Sequence, residues 1–499
     1  MQQKADLNEE QSRVVAHRDG HLLVTAGPGT GKTHTLVRRA AALAAELKPP
    51  CKILLVTFTN KAAGELRSRL EAQSGALVQM MQIGTFHSFA AFLLRRHAHL
   101  RGLSADFSLT DPQEIEALAK DFPGRDPSVS ASALVQRLSR FKAALDSRPQ
   151  DDLAASFSLF LRHRGCLDFD DLLREALWLL QENPDIRRQT AELFPYVCVD
   201  EYQDINPVQE ALLESLALEG VVFTVIGDPD QSIYGFRGSG PEYFERFSSR
   251  FAPCKVLRLG INYRCARHIV ESSLSVISAG TRSAYAAHPV AFSGCNGEIS
   301  VFEAANAHEE ARYIARSIAK LVGSGGLSFT SAGESGGYAF ADIAVLYRLN
   351  AQARIIEEAL QEQGLPCRVF GPAADPNGKE DVYQQKVEKI SLMSMHASKG
   401  LEFPVVFLSG CESPLLPLDL PGFCGNLDEE RRLLYVGMTR ARQKLLISAS
   451  RSRPLWGEIL KTSLSPFFSD IPSSLLEIRK RPPERNRRVE ARAQMKLFG

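Results

Sequence analysis

The sequence predicts an α/β protein built on parallel sheets, and three observations carry that prediction. Residues 21–25, His-Leu-Leu-Val-Thr, form a short apolar run that leads straight into Ala26-Gly27-Pro28-Gly29-Thr30-Gly31-Lys32-Thr33 and then into an Ala/Leu/Val-rich helical stretch at 36–47. Junctions of the same kind recur at 51–61, 83–88, 196–201 and 221–238, each an apolar run ending in polar or aromatic groups. From about 93 to 192 the period is helical, interrupted at Asp121-Phe122-Pro123-Gly124 and Ser147-Arg148-Pro149-Gln150, which marks a helical insertion in the first sheet domain.

The glycine-rich segment has the strand, turn and helix context of a phosphate-cradling P-loop. Its glycines let backbone N–H groups curl around a triphosphate, Lys32 can reach the outer phosphates, and the Thr33 hydroxyl can hold Mg2+. Ala26 stands where the simplest pattern has glycine. The competing reading is a glycine turn that ends in Lys-Thr by chance.

Composition bounds the rest. With 44% hydrophobic and 23% charged residues, the 499-residue chain is ordinary for a globular protein of about three folding units. No apolar stretch is long enough to span a bilayer, and Met1-Gln2-Gln3-Lys4 lacks the apolar run of a signal peptide, so a cytoplasmic protein is expected. Nine scattered cysteines with no Cys-x-x-Cys pair fit reduced thiols, with Cys411 and Cys424 as loop or core residues. A formal net charge of +1 rules out a polycation, so any nucleic-acid contact needs local positive charge. One such place is the arginine-rich stretch 479–492.

Taken in order, Gln11 lies on a short helix before the P-loop, and its amide suits either an adenine edge or ordinary solvent. Phe58-Thr59-Asn60-Lys61 follows the strand 51–57, and Thr85-Phe86-His87-Ser88 follows another, at the strand ends where open parallel sheets place ligands. Phe58 and Phe86 read equally as core aromatics. Within the insertion, Asp168-Phe169-Asp170-Asp171 is an acidic cluster whose last two acids face different sides of a helix, which favours capping over metal binding. The strand 196–199 ends in Asp200-Glu201, one acid placed to complete a Mg2+ shell and the other to accept a proton from attacking water. Next, 221–228 leads to Gln231, which can sense a terminal phosphate, and to Tyr234, Phe236 and Arg237, which suit either base stacking or packing. From 256 the pattern restarts as a second α/β domain without a P-loop, through Asn262-Tyr263-Arg264, a glycine-rich loop after 323, His396 to Phe403, and a helix at 429–442.

This succession resembles the superfamily 1A DNA helicases of the Rep, PcrA and UvrD kind from Leu7 to Ser448, most specifically in 199–204, Val-Asp-Glu-Tyr-Gln-Asp, and 227–238, Gly-Asp-Pro-Asp-Gln-Ser-Ile-Tyr-Gly-Phe-Arg-Gly. The resemblance implies two RecA-like P-loop NTPase domains. The first, 1A, spans 1–92 and 193–256, interrupted by the helical insertion 1B at 93–192; the second, 2A, spans 257–476; and 477–499 is a disordered basic tail. It implies ATP and Mg2+ held between those domains, Gln11 reading the adenine, Tyr263 stacking on it, Glu402 at the ribose, and Arg264 and Arg440 reaching the γ-phosphate from the second domain. Single-stranded DNA is expected to cross Phe58, Asn60, Thr85, His87, Phe169, Tyr234, Phe236, Arg237 and His396.

The sequence also departs from that family. His34 replaces the usual Arg under the adenine, Ile261 a usual Gln, Ser394 a usual Thr, and Ala397-Ser398 invert a Ser-Ala pair. Where the family carries a large helical 2B subdomain, only 372–386 intervenes. The chain is therefore expected to be a trimmed, monomeric 3'-5' single-stranded DNA translocase or helicase of repair or replication, working at single-strand/duplex junctions in the bacterial cytoplasm near the nucleoid. The alternative is a DNA-stimulated ATPase that displaces proteins or recruits a repair partner. Its last residues, including Gln494, Leu497 and Phe498, resemble the short peptides that dock on the bacterial sliding clamp.

Overall fold

A computed structural model describes residues 7–107, 109–143, 151–323, 337–370, 388–420 and 423–479. The chain forms two compact units, one of residues 1–264 with 281–292 and one of 265–280 with 293–499.

The first unit is organised by six parallel strands: β1 (His21–Ala26), β2 (Ile53–Thr57), β3 (Met81–Thr85), β4 (Tyr196–Val199), β5 (Val222–Gly227) and β6 (Cys254–Leu259). They lie in the order β3-β2-β4-β5-β1-β6. Alternate side chains serve opposite faces, as the pleat requires. Leu22, Val24, Ile53, Leu55 and Ile226 pack with Val14 of α1 (Glu9–Ala16), Leu36 and Leu43 of α2 (Lys32–Ala44) and Leu66 of α3 (Asn60–Ser74). Leu23, Leu54, Val56, Phe223 and Val225 form the other core with Phe89 and Leu93 of α4 (Phe86–His97) and with Phe244 and Phe247. Functional residues emerge where these buried strands end.

The insertion between β3 and β4 is helical: α5 (Pro112–Lys120), α6 (Ala131–Ala143), α7 (Asp152–His163), α8 (Phe169–Glu182) and α9 (Pro184–Leu193). Ile115, Phe122, Leu134, Leu138, Phe157 and Leu161 give it a small core of its own. Asp168 and Asp171 do cap α8, through reciprocal backbone bonds of 2.8 and 3.1 Å. Buried Lys142 sits 2.7 Å from each of the two carboxylates.

Two boundaries differ from the sequence expectation. A division at 256/257 falls inside β6, which pairs with β1 from Cys254 to Leu259. An apolar run of that length fits the edge of either sheet, and only its partner strand decides. The tail was expected to be structureless from 477, yet Glu477–Arg479 pairs with the strand Glu298–Ala304. Main-chain bonding to a sheet edge needs no apolar side chain, and Ile478 is exposed.

The first unit also holds the short pair β7 (Ile261–Asn262) and β8 (Val290–Ala291), and the second unit has a seven-stranded sheet. Its strands are β9 (Glu298–Ala304), β10 (Ile343–Tyr347), β11 (Cys367–Phe370), β12 (Ile390–Ser394), β13 (Phe403–Leu408), Ala441–Ser450 and Glu477–Arg479. All pairings are parallel, in the order β11-β12-β10-β13-(441–450)-β9-(477–479). Ile343, Val345, Leu392, Val405 and Phe407 pack against flanking helices. Among the described residues no helix is long and apolar enough to cross a membrane. The expected short linker 372–386, most of the glycine-rich loop and the clamp-like residues Gln494, Leu497 and Phe498 lie outside the described residues.

A buried ion cluster locks this second unit. Arg453 bonds Glu412 at 2.5 Å and also Glu310, all nearly inaccessible, while Ser448 and Ser450 donate to the same carboxylates. Removing the cation strands two carboxylates away from water. Arg453→Met is therefore expected to cost about 3–5 kcal/mol, read as a lower denaturant midpoint for unfolding.

Candidate active site

Buried β1 delivers the chain into the P-loop, and three segments close on its glycines. A Cβ at Gly27 would lie 2.9 Å from Pro289, at Gly29 2.6 Å from the Arg264 Cβ, and at Gly31 2.7 Å from the Gln11 amide. Gly29 and Gly31 also have φ of +69° and +83°, so only glycine fits without strain. Gly31 caps α2 with no side-chain bond, which leaves the helix amino end free to face an anion. Thr30 donates to the Gly27 carbonyl at 2.8 Å, and the Lys32 ammonium rests on the carbonyls of Ala26 and Gly27 at 3.1 and 3.3 Å. Pro28 accepts a 2.8 Å bond from the Asn262 amide, and Gly29 accepts one from the Tyr263 N–H.

Gln11 reaches the loop because Asn8 and Gln11 form a capping box at the start of α1, with bonds of 2.8 and 3.1 Å. Its amide nitrogen donates to the Thr30 carbonyl at 3.1 Å. Asn8 also donates to the Tyr263 hydroxyl at 2.8 Å, and the Tyr263 ring, 44% exposed, lies 4.9 Å from Phe292. Burial, then Arg38 and Arg69, lower the pKa of His34.

The acids stand at the next strand ends. Asp200 follows β4, and burial, then the neighbouring Glu201 charge, push its pKa up to about 7 against the pull of Lys32. Glu201 is held at φ +52°, ψ +48°, a left-handed conformation that among the described non-glycine residues only Trp456 shares in sign of φ. A chain of bonds ties it across the sheet: Gln203 donates to Glu201 at 2.6 Å and accepts from the Asp228 N–H at 2.9 Å, and Asp228 accepts from the Gln231 amide at 2.7 Å. Burial, then Asp230, raise Asp228 to about 6. The Thr33 hydroxyl and Asp200 carboxylate are the hard oxygen donors that Mg2+ favours. No cluster of three or more metal-ligating His, Cys, Asp or Glu side chains exists among the described residues.

Six residues beyond Asp228 begins an aromatic surface. Phe58 and Tyr234 are stacked at 5.3 Å, Phe236 meets Tyr234 edge-on at 6.1 Å, and the Arg237 guanidinium lies 5.9 and 5.6 Å from those last two rings. Phe236 is 65% exposed. His87, its pKa lowered chiefly by burial, meets exposed Phe169 edge-on at 5.5 Å. Asn60 is exposed at the start of α3. Thr85 is buried and caps α4 with its hydroxyl, and Phe86 is core.

The family model described as UvrD/REP helicase N-terminal domain matches residues 7–252, and that of the UvrD-like helicase C-terminal domain matches 257–374 and 376–452. The chain belongs to the UvrD/Rep helicase family. ATP-dependent DNA helicase UvrD1 of Mycobacterium tuberculosis is 28% identical, covering 96% of this chain and 86% of its own. ATP-dependent DNA helicase PcrA of Staphylococcus aureus is 26% identical over 94% and 87%, and that of Staphylococcus epidermidis 25% over 95% and 87%. The alignment to UvrD1 spans 685 positions against a chain of 499 residues, so this relative carries segments without a counterpart here.

Within this UvrD/Rep family member, one expected placement needs correction. Arg264 does not belong with the second unit: its N–H bonds the Asn262 carbonyl oxygen of the side-chain amide at 2.8 Å, and its Cβ abuts Gly29. The short strand β7 carries it along the P-loop. Arg440 does belong to the second unit and is 1% exposed, donating to the carbonyls of Val436 and Leu401 at 3.0 Å each. In the same unit Glu402 lies 4.0 Å from Arg442, and burial, then Arg348 and Lys399, push His396 down to about 4.

Sequence reasoning gave no role to Gln203, Asn262 or Asn8. Asn8 was detectable, since Asn-x-x-Gln before an apolar run is a capping-box signature; the bonds of Gln203 and Asn262 cross between distant segments. The strain at Glu201 is testable. Glu201→Gly should raise stability by about 1 kcal/mol in chemical denaturation while removing the carboxylate, and a loss of stability would show that the Gln203 bond outweighs the backbone cost.

Proposed function

We propose that this chain hydrolyses ATP to move 3'-5' along single-stranded DNA. The observation that carries the reading is the continuity from Glu201 through Gln203 and Asp228 to Gln231, three residues before the Tyr234, Phe236 and Arg237 surface. In this reading one short segment carries both Gln231, as the group for the terminal phosphate, and a stack suited to unpaired bases. A change at the terminal phosphate can shift that stack.

In this reading the P-loop N–H groups and Lys32 hold the phosphates, and Tyr263 supports the base. Thr33 and Asp200 would hold Mg2+, which neutralises phosphate charge when bound. Glu201 accepts the proton of the attacking water and Gln231 contacts the terminal phosphate. His34 stands where the family usually has an arginine beneath the base, so base affinity rests more heavily on stacking.

We further infer that the chain lacks the 2B subdomain and acts as a monomer. The interruption of the C-terminal family match between 374 and 376, inside the short stretch 372–386, supports this. Without that subdomain, translocation that clears bound proteins is a second reading, and repair or replication is the setting for either. The clamp-like end would tether the motor to replicating DNA.

Steady-state ATP hydrolysis with and without oligo(dT) tests the engine. Stimulation by DNA is expected, with turnover reduced at least about a hundredfold by Lys32→Ala or Glu201→Gln while strand binding persists. Strand displacement on tailed duplexes set against streptavidin displacement from biotinylated single strands separates the two readings. Activity on the duplex supports a helicase, and activity on streptavidin alone supports a protein-clearing translocase.

A further inference from the structure

The segment 281–292 belongs to the first unit, although α10 (Arg267–Ser278), which precedes it, and Ser293, which follows it, belong to the second. It is fixed along its length. Arg282 Nε donates to Asp230 Oδ2 at 3.0 Å, its Nη2 donates to the same oxygen, and Nη2 also bonds the Ala287 carbonyl at 2.6 Å. The Arg282 and Asp230 side chains are 10% and 4% exposed. Further on, Pro289 lies against Gly27, Val290 N–H bonds the Gly260 carbonyl and Phe292 N–H the Asn262 carbonyl at 2.8 Å, and the Phe292 ring meets Tyr263.

Asp230 is not a bystander. Its N–H donates to Asp228 Oδ1 at 3.1 Å, and Asp228 holds the Gln231 amide with its other oxygen. Two buried carboxylates two residues apart repel, and an arginine on one of them keeps the turn closed.

We infer that Arg282 is a positioning residue for ATP turnover: through Asp230 it sets the turn that carries Gln231. This rests on the proposed ATPase reading. The pair acts on turnover and leaves nucleotide binding to the P-loop.

The test is steady-state hydrolysis by the full chain, with and without oligo(dT), for Arg282→Gln, Arg282→Lys, Asp230→Asn and the double variant Arg282→Gln/Asp230→Asn. Arg282→Gln should lower the DNA-stimulated kcat about ten- to a hundredfold with KM for ATP within about threefold, because misplacing a catalytic group costs rate more than affinity. Arg282→Lys should recover most of the loss, and the double variant should be no slower than either single, since the residues act as one pair. The double variant, which leaves no unpaired buried charge, keeps the test valid if Arg282→Gln does not fold. A double variant with normal kcat and normal thermal midpoint, or single losses that multiply in the double, overturns the inference. Wild-type chain that does not hydrolyse ATP overturns the proposed function itself, whereas active wild type with unaffected Arg282 variants overturns this inference alone.

Discussion

The constraint on which the site depends is the close approach of three side chains to the P-loop glycines. Gln11 from the amino-terminal helix, Arg264 from the segment after β6 and Pro289 from the segment 281–292 each occupy space that a side chain on the loop would fill. Gln11 comes from the helix just before β1, whereas Arg264 and Pro289 lie far along the chain. The loop is thus a meeting point for separate segments, and its conformation is set from outside as much as by its own glycines.

Electrostatics build on that geometry. Asp200 and Asp228 follow the neighbouring strands β4 and β5, and burial raises both above the usual carboxylate range. Lys32 opposes that shift at each of them. A site of this kind holds its acids in a poised state, charged most readily when a cation is near. Backbone strain at Glu201 belongs to the same pattern, since the left-handed turn places its carboxylate within reach of Gln203.

Local chemistry made part of this legible in the sequence. The run from β1 through Gly31 into α2 announced itself because strand, turn and helix signals lie within about two dozen residues, and the two acids after β4 were readable as the end of a short apolar run. The roles of Asp168 and Asp171 followed from helix-capping preference alone. What could not be read was partnership across distance. The run 254–259 looks the same whichever sheet it joins, Glu477–Arg479 is a strand only because β9 offers an edge, and the Arg282 to Asp230 pair spans 52 positions. Buried charges such as Arg453 and Lys142 likewise appear in the sequence as ordinary surface residues until their carboxylates are located.

The strand order of the first sheet has a consequence for how the chain is made. β1 and β2 are synthesised first, yet β4 and β5 lie between them, and β4 begins only at Tyr196, after the whole helical insertion. Nascent β1 and β2 therefore emerge with unmated apolar edges and must be kept from foreign strands until roughly two hundred residues have left the ribosome. The insertion, with a core of its own, can collapse during that wait. A protein with this architecture is exposed to aggregation early in synthesis, and a translational pause after the insertion would lengthen the hazard while one after β5 would relieve it.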